Sequence, residues 1–213
     1  MKTDLIATLN AGPVVPLVQS NDPAEAVEIS RALLEGGLNV LEVVLRTDQA
    51  FDCLTKIAET FPDAHVGAGT VLSGDHAQRA IDCGATFIVS PGLTQNVVDV
   101  AQKHDMPILP GIATATELQT AWNMGLRTVK FFPAGLAGGP KMLGALASVF
   151  RDVKFMPTGG VSAANLPDFL SVPAVLACGG SWLTPKDAIA SGDYGAITTL
   201  AQDALKIAKT VRT

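Results

Sequence analysis

The sequence is short of several things that would each mark a class of protein. Charged residues make up only 16% of it and hydrophobic ones 48%, a balance that excludes a disordered or fibrous chain. Acidic residues outnumber basic ones, and the formal net charge of −5 leaves no global basic surface for nucleic acid. An anionic ligand must therefore be held by local groups. No apolar run approaches the length of a membrane span, and the Met1-Lys2-Thr3-Asp4 start lacks a signal peptide's apolar core. Cysteines number three, at Cys53, Cys83 and Cys178, odd in count and without metal-ligand spacing. They read as small buried or half-buried thiols in a reducing compartment, so the expected location is cytoplasmic. The histidines, His65, His76 and His104, show no ligand spacing either, and are expected at the surface or at strand ends.

Aromatics are scarce too, whereas Ala, Gly, Val and Leu are plentiful, which suits a tightly packed α/β architecture. A chain of 213 residues with this composition is expected to form one domain, residues 1–213, around a large core. Thr3 to Asn10 reads as a short amphipathic N-terminal helix. Short apolar strands then alternate with helices. The strands are expected at Pro13–Val18, Leu38–Leu45, Ala64–Thr70, Ala85–Ser90, Pro107–Leu109, around Lys130, at Val153–Met156 and at Ala174–Cys178. Helix starts are legible at Asp22-Pro23, Asp48, Ser73 and Thr114, and stops at Gly36-Gly37 and Pro62. Eight such units at roughly 25 residues each fit a closed (β/α)8 TIM barrel near the small end of its range. The alternative, an open doubly wound sheet, lacks its Gly-x-Gly-x-x-Gly turn after the first strand.

Two residues sit where apolar ones belong. Arg127-Thr128-Val129-Lys130-Phe131-Phe132-Pro133 is a buried-strand pattern with a lysine in the middle, and Val40-Leu41-Glu42-Val43-Val44-Leu45-Arg46 is another with a glutamate. Burying either charge carries a large desolvation penalty. With a period of two, Glu42, Val44 and Arg46 share a face. In an eight-stranded barrel the second and sixth strands lie across the axis, so an inward Glu42 and an inward Lys130 converge. They make a structural ion pair, or a nucleophile with its acid/base partner. A lysine attacks carbonyl carbon only as the neutral amine, which burial or neighbouring cations favour. Lys154, in the similar run Arg151-Asp152-Val153-Lys154-Phe155, and Lys141, in a Gly-rich link, compete with Lys130, and spacing alone does not separate the three.

Two loops suit phosphate. Pro157-Thr158-Gly159-Gly160-Val161-Ser162 follows the seventh strand and Cys178-Gly179-Gly180-Ser181-Trp182 the eighth. Paired glycines let backbone N–H groups close on an anion, and barrels commonly hold phosphate after these two strands. Trp182 reads as a packing residue beside its loop. A lysine, a carboxylate and a phosphate site also fit a phosphosugar isomerase or epimerase, or a non-catalytic phosphosugar-binding barrel.

The order of motifs narrows this. Leu41-Glu42-Val43-Val44-Leu45-Arg46-Thr47, Gly67-Ala68-Gly69-Thr70-Val71, Ser90-Pro91-Gly92, Val129-Lys130-Phe131-Phe132-Pro133-Ala134, Pro157-Thr158-Gly159-Gly160-Val161 and Gly179-Gly180-Ser181-Trp182-Leu183 together resemble 2-keto-3-deoxy-6-phosphogluconate (KDPG) aldolase, also called 4-hydroxy-2-oxoglutarate aldolase. The match runs in order from about Gly12 to Gly192. The resemblance implies a class I aldolase, a homotrimer of TIM barrels that works without a metal or other cofactor. It assigns the Schiff-base lysine to Lys130 and the general acid/base to Glu42. It also implies that Arg46 and Thr70 hold the carboxylate of the pyruvate portion, with Pro91 shaping the wall. Phe132, Thr158, Gly159, Gly160, Gly179, Gly180 and Ser181 would line the substrate and phosphate side.

Overall fold

The computed structural model describes residues 4–212. The expected start of the first helix, Thr3, lies outside the described residues, as do the residues before it. The elements follow in the order α1 (Leu5–Ala11), β1 (Val14–Val18), α2 (Pro23–Glu35), β2 (Val40–Val44), α3 (Ala50–Thr60), β3 (His65–Gly69), α4 (Gly74–Asp82), β4 (Ile88–Val89) and α5 (Gln95–Lys103). Then come β5 (Ile108–Leu109), β6 (Gly111–Ile112), α6 (Ala115–Asn123), β7 (Thr128–Phe131), α7 (Gly139–Val149), β8 (Lys154–Pro157), α8 (Leu166–Leu170), β9 (Cys178–Gly180), α9 (Lys186–Ser191) and α10 (Tyr194–Val211).

Every described strand pairing is parallel. Six strands form one curled sheet in the order β5-β4-β3-β2-β1-β9, and three form a second in the order β6-β7-β8. Two isolated parallel bridges, Phe155 with Val175 and Thr158 with Gly179, lie between the β8 segment and the β9 segment. The architecture is a TIM-like α/β fold built on a curled parallel sheet.

Strand alternation divides the core into two. Leu41, Val43, Val66, Ile88, Val129, Phe131 and Phe155 point outward and join the helix residues Ile29, Leu33, Leu54 and Leu118. Val15, Val40, Phe87, Val89, Leu109 and Met156 form a separate inner cluster, and Leu5 and Leu9 of α1 pack into it. That short amphipathic helix is therefore a plug for the inside of the curled sheet.

Two expectations need correction. The strand expected at Pro107–Leu109 does not end there: beyond Pro110, Gly111 and Ile112 resume as β6 and pair with Lys130 and Phe131. A Cβ on Gly111 would lie 2.0 Å from the Pro91 carbonyl oxygen, so only glycine lets the chain stay straight enough to pair. The last strand begins four residues later than Ala174, and Gly179 and Gly180 lie within β9 instead of a loop. Their Cβ atoms would meet Thr158 Oγ1 at 2.4 Å and the Trp182 ring at 1.6 Å, so these glycines serve close approach of backbone to side chain. Trp182 packs there against the outer core, as its sequence context suggests. His65 stands at the start of β3, one of the strand-end positions expected for the histidines, and is buried there.

Candidate active site

Glu42 follows Val40 on the inner face of β2, and Lys130 projects from the inner face of β7, between the outward Val129 and Phe131. Their side chains meet inside the curled sheet. Lys130 Nζ lies 3.3 Å from Glu42 Oε1, and the two side chains are 3% and 0% exposed. At such burial the pair is far less screened than a surface ion pair. Glu42 Oε2 is buried with no hydrogen-bond partner in the protein. A buried carboxylate oxygen left open beside a buried amine has room for one more donor, such as a substrate hydroxyl or a water. The space for this carboxylate comes from β3: a Cβ on Gly69 would lie 2.2 Å from Glu42 Oε1.

The rival lysines are elsewhere. Lys154 opens β8, is exposed, and donates from Nζ to the Pro173 carbonyl at 3.3 Å. Lys141 is exposed on α7. Burial against a carboxylate singles out Lys130.

Arg46 and Thr70 are joined as well. Arg46 Nε donates to Thr70 Oγ1 at 2.9 Å. Thr70 holds φ at +61°, a left-handed conformation that a β-branched residue rarely adopts, with a strain on the order of 1–3 kcal/mol. The loop carrying Arg46 is fastened to the loop after β1 by Thr47 Oγ1, which donates to the Ser20 carbonyl at 2.7 Å, and by Gln49 N–H, which donates to Asn21 Oδ1 at 3.1 Å. Pro91 reaches the site through Gly111, the residue paired with Lys130.

On the opposite side Thr158 is buried, and its Oγ1 has no partner. Gly159 and Gly160 follow with φ of +87° and +85°, a left-handed pair that bends the chain immediately beyond β8. The Gly159 Cα faces the Phe132 ring, which a Cβ there would meet at 3.2 Å. The same ring lies 5.4 Å from Lys130 Nζ, measured to its centroid. Ser181 is exposed just past β9 and, with Arg46, lines a cavity of about 240 Å³. Gln19, Thr184 and Lys186 line it too; sequence reasoning missed all three, because loop and helix-start positions carry no periodic signal. Gly69 was legible only as a glycine that lets the third strand run close to its neighbours; that the neighbour is Glu42 was not.

Among the described residues no group of three or more His, Cys, Asp or Glu side chains is placed to hold a metal ion. Burial pushes the Cys178 thiol up to about 12 and the Cys53 thiol up to about 11, so both stay protonated at neutral pH. His104 pairs with Gln78 at 2.9 Å on the surface, far in character from a catalytic base.

A TIM-like parallel sheet with a buried amine and carboxylate converging on its inner face defines the class, an α/β protein with a polar centre inside its sheet, and by itself fits a lyase, an isomerase or a phosphosugar binder. The comparisons make it particular. The family model of KDPG and KHG aldolase matches residues 5–200, and the chain belongs to that family. It is 46% identical over 208 residues to the KHG/KDPG aldolase of Escherichia coli K12, covering 98% of each chain. A crystal structure of KDPG aldolase from Legionella pneumophila, with pyruvate captured at low pH as a covalent carbinolamine intermediate, superposes with a TM-score of 0.91 at 39% identity, over 95% of this chain and 98% of that one. The Zymomonas mobilis ZM4 enzyme, crystallised with 3-phosphoglycerate, gives 0.88 at 41% identity, over 96% of each.

Proposed function

We propose that the protein is a class I aldolase that reversibly cleaves 2-dehydro-3-deoxy-6-phosphogluconate to pyruvate and glyceraldehyde 3-phosphate, and 4-hydroxy-2-oxoglutarate to pyruvate and glyoxylate. The observation that carries this reading is the buried Lys130–Glu42 pair, 3.3 Å apart, in a chain of this family.

Lys130 Nζ attacks the C2 ketone to give a carbinolamine, and loss of water leaves an iminium. That cation accepts the electron pair of the C3–C4 bond as it breaks. Glu42, through its open Oε2 or a water held there, takes the C4 hydroxyl proton, and the aldehyde departs. The enamine is then protonated at C3, and water returns to release pyruvate and the free amine. Arg46 offers a planar fork to the carboxylate of the pyruvate portion, next to Thr70. Pro91 walls that end. Phe132, Thr158, Gly159, Gly160, Gly179, Gly180 and Ser181 form the side that holds the remainder of the substrate and its phosphate. Thr158 Oγ1, buried and unpartnered, is the donor with most to gain there. Holding the far end of the substrate in this way turns remote binding into orientation of the reacting bond.

In the same reading β5 and β6 are two halves of one strand interrupted at Pro110, and the bridges from Phe155 and Thr158 join the two sheets into an eight-stranded (β/α)8 barrel. Residues 1–213 make a single domain, the enzyme works in the cytoplasm as a homotrimer, and the reaction uses no metal or other cofactor. No helix among the described residues is long and apolar enough to cross a membrane. Sedimentation at micromolar concentration tests the trimer; a species of one chain mass would overturn it. The test of the chemistry is cleavage of the phosphorylated substrate coupled to pyruvate detection. Conversion without pyruvate release would point instead to an isomerase or epimerase that uses Glu42 for proton transfer.

A further inference from the structure

Arg46 stands on a stretch of chain outside any regular element. β2 ends at Val44 and α3 begins at Ala50, so residues 45–49 form a loop. On the β3 side the backbone ties it: Leu45 N–H donates to the Gly69 carbonyl at 2.8 Å. On the other side the register of β1 against β2 ends at Val18 with Val43. Past that point side chains take over. Thr47 Oγ1 donates to the Ser20 carbonyl at 2.7 Å, and Asn21 Oδ1 accepts from Gln49 N–H at 3.1 Å. The Ser20 carbonyl is itself held in place. Ser20 is buried, its Oγ accepts from Asp22 N–H at 2.9 Å and donates to Glu25 on α2, and Cys53 Sγ of α3 approaches the same carbonyl at 3.6 Å. Thr47 does not cap α3, whose N-cap is Gln49, so helix capping does not account for its hydroxyl.

Arg46 is exposed, and its Nε is committed to Thr70 Oγ1 at 2.9 Å. A guanidinium grips a carboxylate best as a planar fork, so the angle of its plane matters as well as its charge. Misplacing such a group by about 1 Å can cost on the order of 10²-fold. The bond to Thr70 steadies the far end of the arginine side chain, and the near end is its backbone, which Thr47 anchors one residue along. We infer that Thr47 is a positioning residue: its bond to the Ser20 carbonyl sets the backbone from which Arg46 reaches the carboxylate of the pyruvate portion. The inference rests on the reading of Arg46 given above and adds to it a neighbour whose hydroxyl is turned to the loop after β1. Thr47 acts through Arg46 and touches no reacting atom. Loss of its bond therefore weakens capture of pyruvate and leaves the aldehyde end, held by the segments after β8 and β9, as it was.

The experiment follows aldol addition of pyruvate to glyceraldehyde 3-phosphate, each varied while the other is saturating. It compares wild type, Thr47→Val, Thr47→Ser, Arg46→Ala and the double variant Thr47→Val with Arg46→Ala. Thr47→Val keeps the shape and removes the donor. It is expected to raise KM for pyruvate about 3- to 10-fold, the factor that matches one net hydrogen bond, and to leave KM for the aldehyde within about twofold. Thr47→Ser should restore the wild-type value. With Arg46 already cut to Ala, Thr47→Val should add less than about twofold, because the group it positions is gone. An unmoved pyruvate KM in Thr47→Val, an equal rise for both substrates, or a full effect without Arg46 overturns the inference; a merely structural role gives the last two. Should Thr47→Val not fold, Asn21→Ala carries the test by cutting the neighbouring tie between two exposed residues. It should raise the pyruvate KM about 2- to 3-fold with the aldehyde KM unmoved, and no rise overturns the inference. The levels stay apart. A raised KM in Arg46→Ala with an unmoved one in Thr47→Val refutes the role of Thr47 alone. An unmoved KM in Arg46→Ala refutes its carboxylate role and the inference with it, and no borohydride-trapped pyruvate adduct on wild type refutes the aldolase reading.

Discussion

Glu42 and Lys130 are 88 residues apart in sequence and yet share a buried contact. Removing one partner of such a pair leaves the other charge uncompensated, at a cost of about 3–5 kcal/mol, so loss of stability in a variant says nothing by itself about catalysis. Glu42→Gln keeps the shape and a hydrogen bond to Lys130. It is expected to lower kcat by roughly 10²–10⁴-fold with KM little changed, the usual scale for a lost acid/base group. A loss of less than tenfold in steady-state assays would return the pair to a structural role. Gly69→Ala is a subtler probe: its new methyl falls on Glu42 Oε1, so kcat should drop while far-UV circular dichroism stays native. Activity close to wild type would mean that the carboxylate has slack the packing denies. Both charged residues were legible in sequence because each broke an apolar strand. Lys130 was not separable from Lys154 by that pattern, since a period of two does not say where a strand starts. Lys154 is the first residue of β8, where its stem carries the amine outward. Lys186 left no mark at all, being one more exposed lysine.

At the scale of elements the helix starts were the clearest signals, because a cap is written in neighbouring residues. Thr114 and Glu117 form a capping box on α6: Thr114 Oγ1 accepts from Glu117 N–H at 3.2 Å, and Glu117 Oε2 accepts from Thr114 N–H at 2.9 Å. Thr114→Ala should cost about 1 kcal/mol in chemical denaturation. The backbone N–H of Ala113, followed by the bonds from Thr114, holds the Glu117 carboxyl below the usual glutamate range. A group depressed in the folded state adds stability that is fully present above its unfolded value and fades as pH falls through its folded one. The stability difference between wild type and Glu117→Gln should accordingly shrink on acidification below about pH 4.5; a difference constant down to pH 3 would contradict the assignment. Strand ends were less legible. The β9 shift and the appearance of β6 both turn on glycines whose missing Cβ atoms admit a neighbour, and a neighbour from a distant part of the chain is invisible in a local pattern. The plug helix gives a separate test: Leu9, 1% exposed in the inner cluster, should cost about 2–5 kcal/mol when cut to Ala, and a cost under 1 kcal/mol would mean α1 is dispensable.

Across the whole molecule, alternation of short apolar strands with capped helices was enough to read a parallel α/β fold. How the sheet curls to bring β2 and β7 face to face was not, because that depends on pairings between distant strands. The curl holds one amine, Lys130, buried beside Glu42 on the inner face of the sheet. The direct test is to incubate the protein with pyruvate and borohydride and map the modified peptide by mass spectrometry. One reduced pyruvyl adduct per chain is expected, on Lys130, absent from Lys130→Arg and independent of added chelator. No adduct, or an adduct on Lys154, would contradict it.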